Sequence, residues 1–572
     1  FTLEYKPVKG LSLRAVGGAN ILDGQKKEWR RAYGKYGVDG LISTAFGQKS
    51  PNSVTQNNSH RQYLTGQLIA EYKGVFGKHD INVLGGWSAE ENLYEDLQGK
   101  RTNIVGNELP ALNLGDTDGW SNAADENEWA LLSGFMRASY AFAAKYLVEV
   151  NFRADASSRF SKKNRWGVFP SASVGWRITE EKFMQNQHIF DNLKLRASWG
   201  QLGNQNGLGL YDHIASYNIN GYYPFKSELG QWAVISKLPS ESRTWETVEV
   251  KNIAVDMAFL RNRLTVTGEY FIKKNKDMLV SIEIPSIIGI DVPTGNYGEL
   301  KVKGWEVTVG WQDKIKDFSY GARFNLSDQK DKLVDYGVEY NGFVAGVNQK
   351  VQGYSLGSIF GYRTDGYFTS EEEVKNSAAF NKAITGVGDI KYIDKDGDGK
   401  ISAPNDLEYL GTTTPRYTFG LNLTAAWKGF DLGVLLQGVG KRNFYLSSEV
   451  MNPYYATWNN FSYKMHNDYW TPENPNAAFP RYYAGANHNY QISDHWLQNA
   501  AYVRLKNLQL GYTISPKLTK SWGIQRLRVY FSGDNLCEYS KLNDNFDPEL
   551  SNINGYVYPI MRNFSFGINV TL

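Results

Sequence analysis

The chain has a single cysteine, Cys537, in 572 residues. No intrachain disulfide can form, which excludes the stapled scaffolds of small secreted domains. No stretch reaches the ~18 consecutive apolar residues of a membrane helix. Mean hydropathy is −0.46, which leaves strand-built membrane proteins open, because their strands contribute a polar residue for each apolar one. Neither charge sign dominates. Lys and Arg number 62 against 59 Asp and Glu, a net charge of +3, so the attraction that holds nucleic acid has no source here. The seven histidines are scattered without HExxH spacing, and no GxSxG or Walker segment occurs. Cys537 has no base beside it in the sequence, and an incidental thiol outweighs a nucleophile. No catalytic residue is assigned, and the chain is expected not to be an enzyme.

Aromatics are plentiful: 37 Tyr, 28 Phe and 16 Trp, 14% of the chain. That excess fits aromatic girdles at two membrane interfaces. It fits an aromatic-rich secreted β-protein equally well, and patterning has to separate the two. At the C-terminus Phe564, Phe566, Ile568, Val570 and Leu572 share one face of a strand, and Ser565, Gly567, Asn569 and Thr571 the other. Near 301–328, Trp305, Val307, Val309 and Trp311 oppose Glu306, Thr308 and Gly310. After a polar turn, Phe318, Tyr320, Ala322 and Phe324 oppose Ser319, Gly321, Arg323 and Asn325. At 145–155, Tyr146, Val148, Val150 and Phe152 oppose Glu149, Asn151, Arg153 and Asp155. Charges facing a dry core are expensive, whereas a water-filled lumen accepts them cheaply. Glu149, Arg153, Asp155, Glu306 and Arg323 are therefore expected to line a lumen. The plain alternative for each is pairing with a neighbouring strand.

The expected fold is all-β, an antiparallel transmembrane β-barrel running through residues 1–572. About 17 strands can be read, near 1–6, 10–19, 60–74, 79–93, 128–142, 145–158, 167–178, 192–202, 246–258, 262–276, 301–311, 318–328, 416–427, 430–440, 501–513, 526–536 and 563–572. Short turns alternate with long loops near 20–59, 94–127, 203–245, 277–300, 329–415, 441–500 and 537–562. Short periplasmic turns and long extracellular loops are a barrel property. A soluble sandwich has no reason to collect its long loops at one end. This polarity places the chain in the cell outer membrane, crossing it many times, with a periplasmic C-terminus. In 502–512, Val503 and Leu505 fall on the face opposite Leu508, Leu510 and Tyr512, and a β-bulge near Lys506–Asn507 restores the register. The chain begins at Phe1 inside a strand pattern and reads as the remainder of something longer. Single-chain bacterial barrels have even strand numbers, so an odd number of strands is expected ahead of Phe1.

Four segments resemble SusC-like TonB-dependent transporters, in that family's order: 192–204 (NLKLRASWGQLGN), 388–401 (GDIKYIDKDGDGKI), 502–512 (YVRLKNLQLGY) and 564–570 (FSFGINV). The first third of the chain resembles the family through strand pattern alone. The resemblance implies a barrel of about 22 strands around an N-terminal plug, and neither the plug nor a TonB box has a counterpart in this sequence. It also implies active import of large nutrients, oligosaccharides or peptides, energised by the TonB complex. A SusD-like surface lipoprotein would act as a lid, outer-membrane lipid would surround the barrel, and two transporter–lipoprotein pairs could form a dimer. Leu572 departs from the aromatic residue common at barrel C-termini but is still apolar.

The sharpest chemical motif is Asp394-Lys395-Asp396-Gly397-Asp398-Gly399-Lys400. It matches the first half of an EF-hand loop, with alternate carboxylates, a glycine for the turn and the Lys400 carbonyl in the position-7 place. The second half departs: Asn405 occupies position 12, and the nearest carboxylate is Asp406. These residues are the candidate ligands of a structural Ca2+ that would stiffen the 329–415 loop. The alternative is an Asp/Gly turn with Asx hydrogen bonds and no metal. In the 441–500 loop Tyr454, Tyr455, Trp458, Trp470, Tyr482, Tyr483 and Trp496, with Tyr222, Tyr223 and Trp232 from 203–245, are candidate contacts for a sugar ring or a partner. Packing of the long loops against one another is the competing explanation. Two other functions fit the same residues less well: a passive porin or structural outer-membrane protein, and a secreted glycan-binding β-protein.

Overall fold

The computed structural model describes residues 1–32, 51–106, 108–225, 228–281, 287, 289–290, 294–337, 343–454, 463–543, 545–550, 558 and 560–572. Seventeen long strands carry the fold. They are β1 (Thr2–Val8), β2 (Leu11–Arg30), β3 (Ser53–Phe76), β4 (His79–Thr102), β5 (Ser121–Phe142), β6 (Tyr146–Ser157), β7 (Trp166–Arg177), β8 (Phe190–Asn204), β9 (Glu246–Phe259), β10 (Leu264–Val280), β11 (Gly295–Ile315), β12 (Phe318–Asp335), β13 (Arg416–Trp427), β14 (Phe430–Lys441), β15 (Tyr502–Thr513), β16 (Arg526–Ser540) and β17 (Asn563–Thr571). The chain divides into two compact units, one of residues 1–173, 200–247 and 281–296, the other of 174–199, 248–280 and 297–572. In the first unit β1 to β6 form consecutive antiparallel pairs. In the second, β11 to β17 do the same.

On β6 and at the start of β14 the faces are inverted relative to a water-soluble protein. On β6, Tyr146, Val148, Val150 and Phe152 are 43, 40, 45 and 44% exposed, while Leu147, Glu149, Asn151 and Arg153 between them are half-buried. In the second unit Phe430 and Leu432 are exposed, and Asp431 and Gly433 are half-buried. Burying one such apolar side chain is worth ~1.5–3 kcal/mol, so a continuous face of them standing outward marks contact with something apolar. Aromatic rings gather at the short-turn ends. His79, Phe142 and Tyr146 stack there in the first unit, and Phe430 with Tyr512 in the second. The tight turns use the left-handed backbone that suits a twisted hairpin: Lys428 and Gly429 have φ of 45° and 93°.

The strands outrun the sequence reading where both faces become polar. β2 and β3 extend to Arg30 and back to Ser53, and β4 and β5 to Thr102 and back to Ser121. The expected loops 20–59, 94–127 and 277–300 are accordingly much shorter, with 33–50 outside the described residues. Beyond the apolar band nothing selects apolar residues for the outer face, so the alternation that identifies a strand stops while its ladder continues. The 203–245 loop carries its own hairpin, Ser216–Phe225 with Glu228–Lys237. The bulge is present: Leu435 pairs with Asn507 and Leu436 with Leu505, leaving Lys506 unpaired. The loops of the second unit build a true core, in which Tyr362, Ile390, Tyr392, Leu407, Phe444, Leu446, Phe479 and Trp496 pack together.

Candidate functional site

The polar face is assembled by register. Ser139 lies opposite Glu149, and Ser133 opposite Asp155. Ser139 Oγ donates to Glu149 at 2.8 Å and Asn151 Nδ2 at 3.1 Å. Arg153 Nε donates to both oxygens of Asp155 at 2.8 and 3.0 Å, and its Nη2 to Ser133 Oγ at 2.9 Å. These three residues share the half-buried face, where they pair within β5 and β6. In the second unit Glu306 faces Ser327 and Arg323 faces Gly310, placing both on one face, and both are exposed. Arg323 helps line a cleft of about 1070 Å³ together with Arg263, Asp313, Asp431 and Gln509.

The Asp394–Lys400 turn is tightly self-bonded. Asp394 accepts the amides of Gly397 and Gly399 at 2.7 and 2.8 Å, Asp396 that of Asp398 at 3.2 Å, and Asp398 that of Lys400 at 2.8 Å. Desolvation pulls the Asp394 carboxyl up, and the Gly399 and Gly397 amides outweigh it and hold it below the usual carboxylate value. Carboxylate oxygens of Asp394, Asp396 and Asp398 lie within 4.8 Å of one another. That donor set is hard, anionic and partly solvated, which suits Ca2+. Asp406 stands apart from this group. It is buried, and its two oxygens accept the amides of Lys395 and Ser402 at 2.7 Å each. It therefore pins the two ends of the turn together, and its oxygens are committed to backbone.

The aromatic candidates divide. Trp496 is 1% exposed and sits in the loop core, its Nε1 donating to the Asn489 carbonyl at 3.2 Å. Its assignment as a contact residue is corrected: the loops need a core of their own, and this indole supplies it. Tyr482 is half-buried between Tyr454 and Tyr469, both at 5.3 Å, and burial pushes its hydroxyl up. Trp470 is half-buried against Gly388, whose φ of +90° and lack of a Cβ admit the indole. Tyr222 and Tyr223 are well exposed on the hairpin, with Trp232 lying across from Gly221. Tyr455 and Trp458 lie outside the described residues.

Two clusters went unread. Asp389 is fully buried. It accepts from the Gly386 amide at 2.8 Å, Tyr483 hydroxyl at 2.9 Å and Asn489 Nδ2 at 2.9 Å, and meets His488 Nε2 at 3.0 Å. One carboxylate thus ties the 329–415 loop to the 441–500 loop, and Tyr483 is committed to it. Arg504, also buried, is held by Glu538, by Asp547 at 2.6 Å and by Glu549 at 2.9 Å. The bulged Lys506 reaches Glu549 at 2.9 Å. Arg442 donates to the Pro548 carbonyl and, at 2.8 Å, to that of Leu550. Three cations therefore hold 547–550 in place. The sequence signal for the second cluster was the bulge itself, which turns Lys506 out of the ladder.

Within each unit, antiparallel strands with apolar outward faces, short turns and long connections fit an outer-membrane β-barrel. The profile of the family described as "TonB dependent receptor-like, beta-barrel" matches residues 3–536, and the chain belongs to that family. It is 30% identical over 530 residues to TonB-dependent receptor P26 of Formosa agariphila, covering 88% of this chain and 52% of the relative. It is 28% identical over 463 residues to TonB-dependent receptor SusC of Bacteroides thetaiotaomicron, covering 77% and 43%. The chain thus spans about half the length of the curated relatives it matches. Its fold matches the solved RagAB peptide transporter with a TM-score of 0.84 at 23% identity, over 100% of this chain and 61% of that one.

Proposed function

We propose that the chain is the barrel part of a TonB-dependent importer that brings large nutrients, oligosaccharides or peptides, across the outer membrane. The observation that carries this reading is the pairing of an outward apolar face on β6 and β14 with a charged, hydrogen-bonded inner face. That arrangement supports a wet path through hydrocarbon, and the alternation of short turns with long loops supports a periplasmic C-terminus. The resemblance to SusC supports a SusD-like lipoprotein seated on the loop side and coupling to TonB, with pairs able to dimerise. The loop core supports a seat for such a partner, because it holds the exposed rings of Tyr454 and Tyr469 on a rigid base. Ca2+ held by Asp394, Asp396 and Asp398 would lock the turn beside that core; it supplies charge neutralisation there and no chemistry.

The test is conductance with co-purification. The full-length transporter of which this chain is the barrel part, extracted from outer membranes in mild detergent, is expected to bring a lipoprotein in near-equal amount and, with its plug in place, to leave planar bilayers closed to ions. Steady open conductance from protein recovered alone would favour the passive porin.

A further inference from the structure

The short-turn end of the second unit carries a surface that import does not use. One row of the ladder crosses β11 to β16 and sets Ile315, Phe318, Trp427, Phe430, Tyr512 and Val529 side by side. All six are exposed, Trp427 at 51% and Phe430 at 49%. They continue the strand face that carries Val309, Leu423 and Leu510. An unbroken row of this kind marks the level at which rings meet lipid headgroups.

The connections just beyond the row are cationic. Lys316 lies in the β11–β12 turn, Lys428 in the β13–β14 turn, and Lys517 and Lys520 in 514–525 between β15 and β16. Against these four lysines the same three connections hold one carboxylate, Asp317. Strand carboxylates at this end are taken: Arg263 holds Asp313 at 3.0 Å, and Arg528 holds Asp431 at 2.9 Å. All four lysines are exposed, and none forms an ion pair among the described residues.

Lys428 shows which way these charges stand. Its Nζ lies 5.4 Å from the centre of the Trp427 ring, so the ammonium sits over the outward indole. The Lys316 turn is its neighbour, because Phe318 pairs with Trp427. Two strand spacings, ~10 Å, separate the turn centres. One headgroup phosphate closes that gap between two flexible lysine stems. On the other side the Thr513 amide donates to the Gly429 carbonyl at 2.7 Å. That bond brings 514–525 alongside, where Leu518 and Trp522 are 59 and 62% exposed. Ammonium groups at such an edge take phosphate, and the rings below take the first carbons of the acyl chains.

We propose that Lys316 and Lys428, above the rings of Phe318, Trp427 and Phe430, form a binding site for an anionic phospholipid of the phosphatidylglycerol type, with Lys517 and Lys520 adding charge. The inference rests on the orientation in the import reading above, which puts the short turns in the periplasmic, phospholipid leaflet. The outer leaflet offers the phosphates of lipid A instead.

The full-length transporter in neutral detergent is titrated with phosphatidylglycerol, phosphatidylcholine and lipid A, and bound lipids are counted by native mass spectrometry. Phosphatidylglycerol is expected to bind about tenfold or more tighter than phosphatidylcholine. Lys316→Gln with Lys428→Gln should bring the two within about threefold of each other. Lys316→Arg with Lys428→Arg should keep the preference, and Lys382→Gln on a long loop should leave it unchanged. Heat-modifiable gel migration checks that each variant is folded. Equal affinity for the two phospholipids, or a preference that survives the double glutamine variant, overturns the site. Tighter binding of lipid A that depends on Lys316 and Lys428 overturns the phospholipid assignment and turns the short-turn end outward. Failure of the import reading shows separately, as steady open conductance with the phospholipid preference intact.

Discussion

Replacing Asp389 by alanine removes the acceptor of four donors at once. The half-buried Tyr483 hydroxyl can turn to water. The amide of buried Gly386 cannot, nor can His488 and Asn489, which are 5% and 0% exposed. Each buried donor left without a partner costs ~1–3 kcal/mol, so the loop core should lose about 3–9 kcal/mol. At ~1.4 kcal/mol per decade, the lower bound is roughly a 100-fold rise in local opening. The expected readout is hydrogen exchange at amides whose bonds depend on this hub. Ile390 N donates to Asn489 Oδ1 at 2.9 Å, and Arg481 N to the Gly388 carbonyl at 3.0 Å. Strand β6, far along the chain and outside this loop network, supplies the internal control and should exchange as in the parent protein. Tyr483→Phe, which removes one donor and no acceptor, should cost about 1 kcal/mol or less. If Asp389→Ala left Ile390 and Arg481 exchange within about threefold of the parent, the hub would not hold the loops together and the reasoning would fail.

Acid should loosen the same loop region through Glu373. The Thr369 amide and then Lys391 hold its carboxyl at about 2, against an ordinary 4.5. A depressed carboxylate contributes stability above its unfolded value, so that contribution is complete above about pH 4.5 and is lost as pH falls toward 2. Protease resistance of 364–392 should drop across that window, and Glu373→Gln should abolish the drop by removing the contribution at every pH. For calcium, chelator should raise the protease sensitivity of the 394–406 turn in the parent protein. Asp396→Ala with Asp398→Ala should be equally sensitive with and without chelator; identical sensitivity of the parent under both conditions would remove the ion.

The strand faces were legible because β geometry has a period of two and the membrane imposes opposite demands on alternate residues. The bulge at Lys506 was legible for the same reason, since apolar residues change parity there. What was lost lies above the apolar band. β3 and β4 run on through Gln56, Asn57 and Asn58, and through Gln98, Gly99 and Lys100, where both faces are polar and no alternation remains. Asp389 was unreadable because one aspartate carries no pattern and its partner His488 lies 99 residues away. The loop aromatics carried a true signal with two meanings. Tyr222 stands exposed and Trp496 is core, and composition cannot separate a ring that binds from a ring that a long loop must bury. Asp406 was found as a member of its turn but not in its role, because counting carboxylates along a loop does not reveal which of them face backbone amides.

The most direct test of the account is a nitroxide scan through Tyr146–Arg153 in lipid vesicles, on a background with Cys537 replaced by serine. Labels at 146, 148, 150 and 152 are expected to be accessible to oxygen and shielded from a water-soluble nickel chelate, while labels at 147, 149, 151 and 153 show the reverse. Uniform accessibility to the chelate along the whole segment, or an inverted alternation, would contradict a lipid-facing apolar surface and the import role built on it.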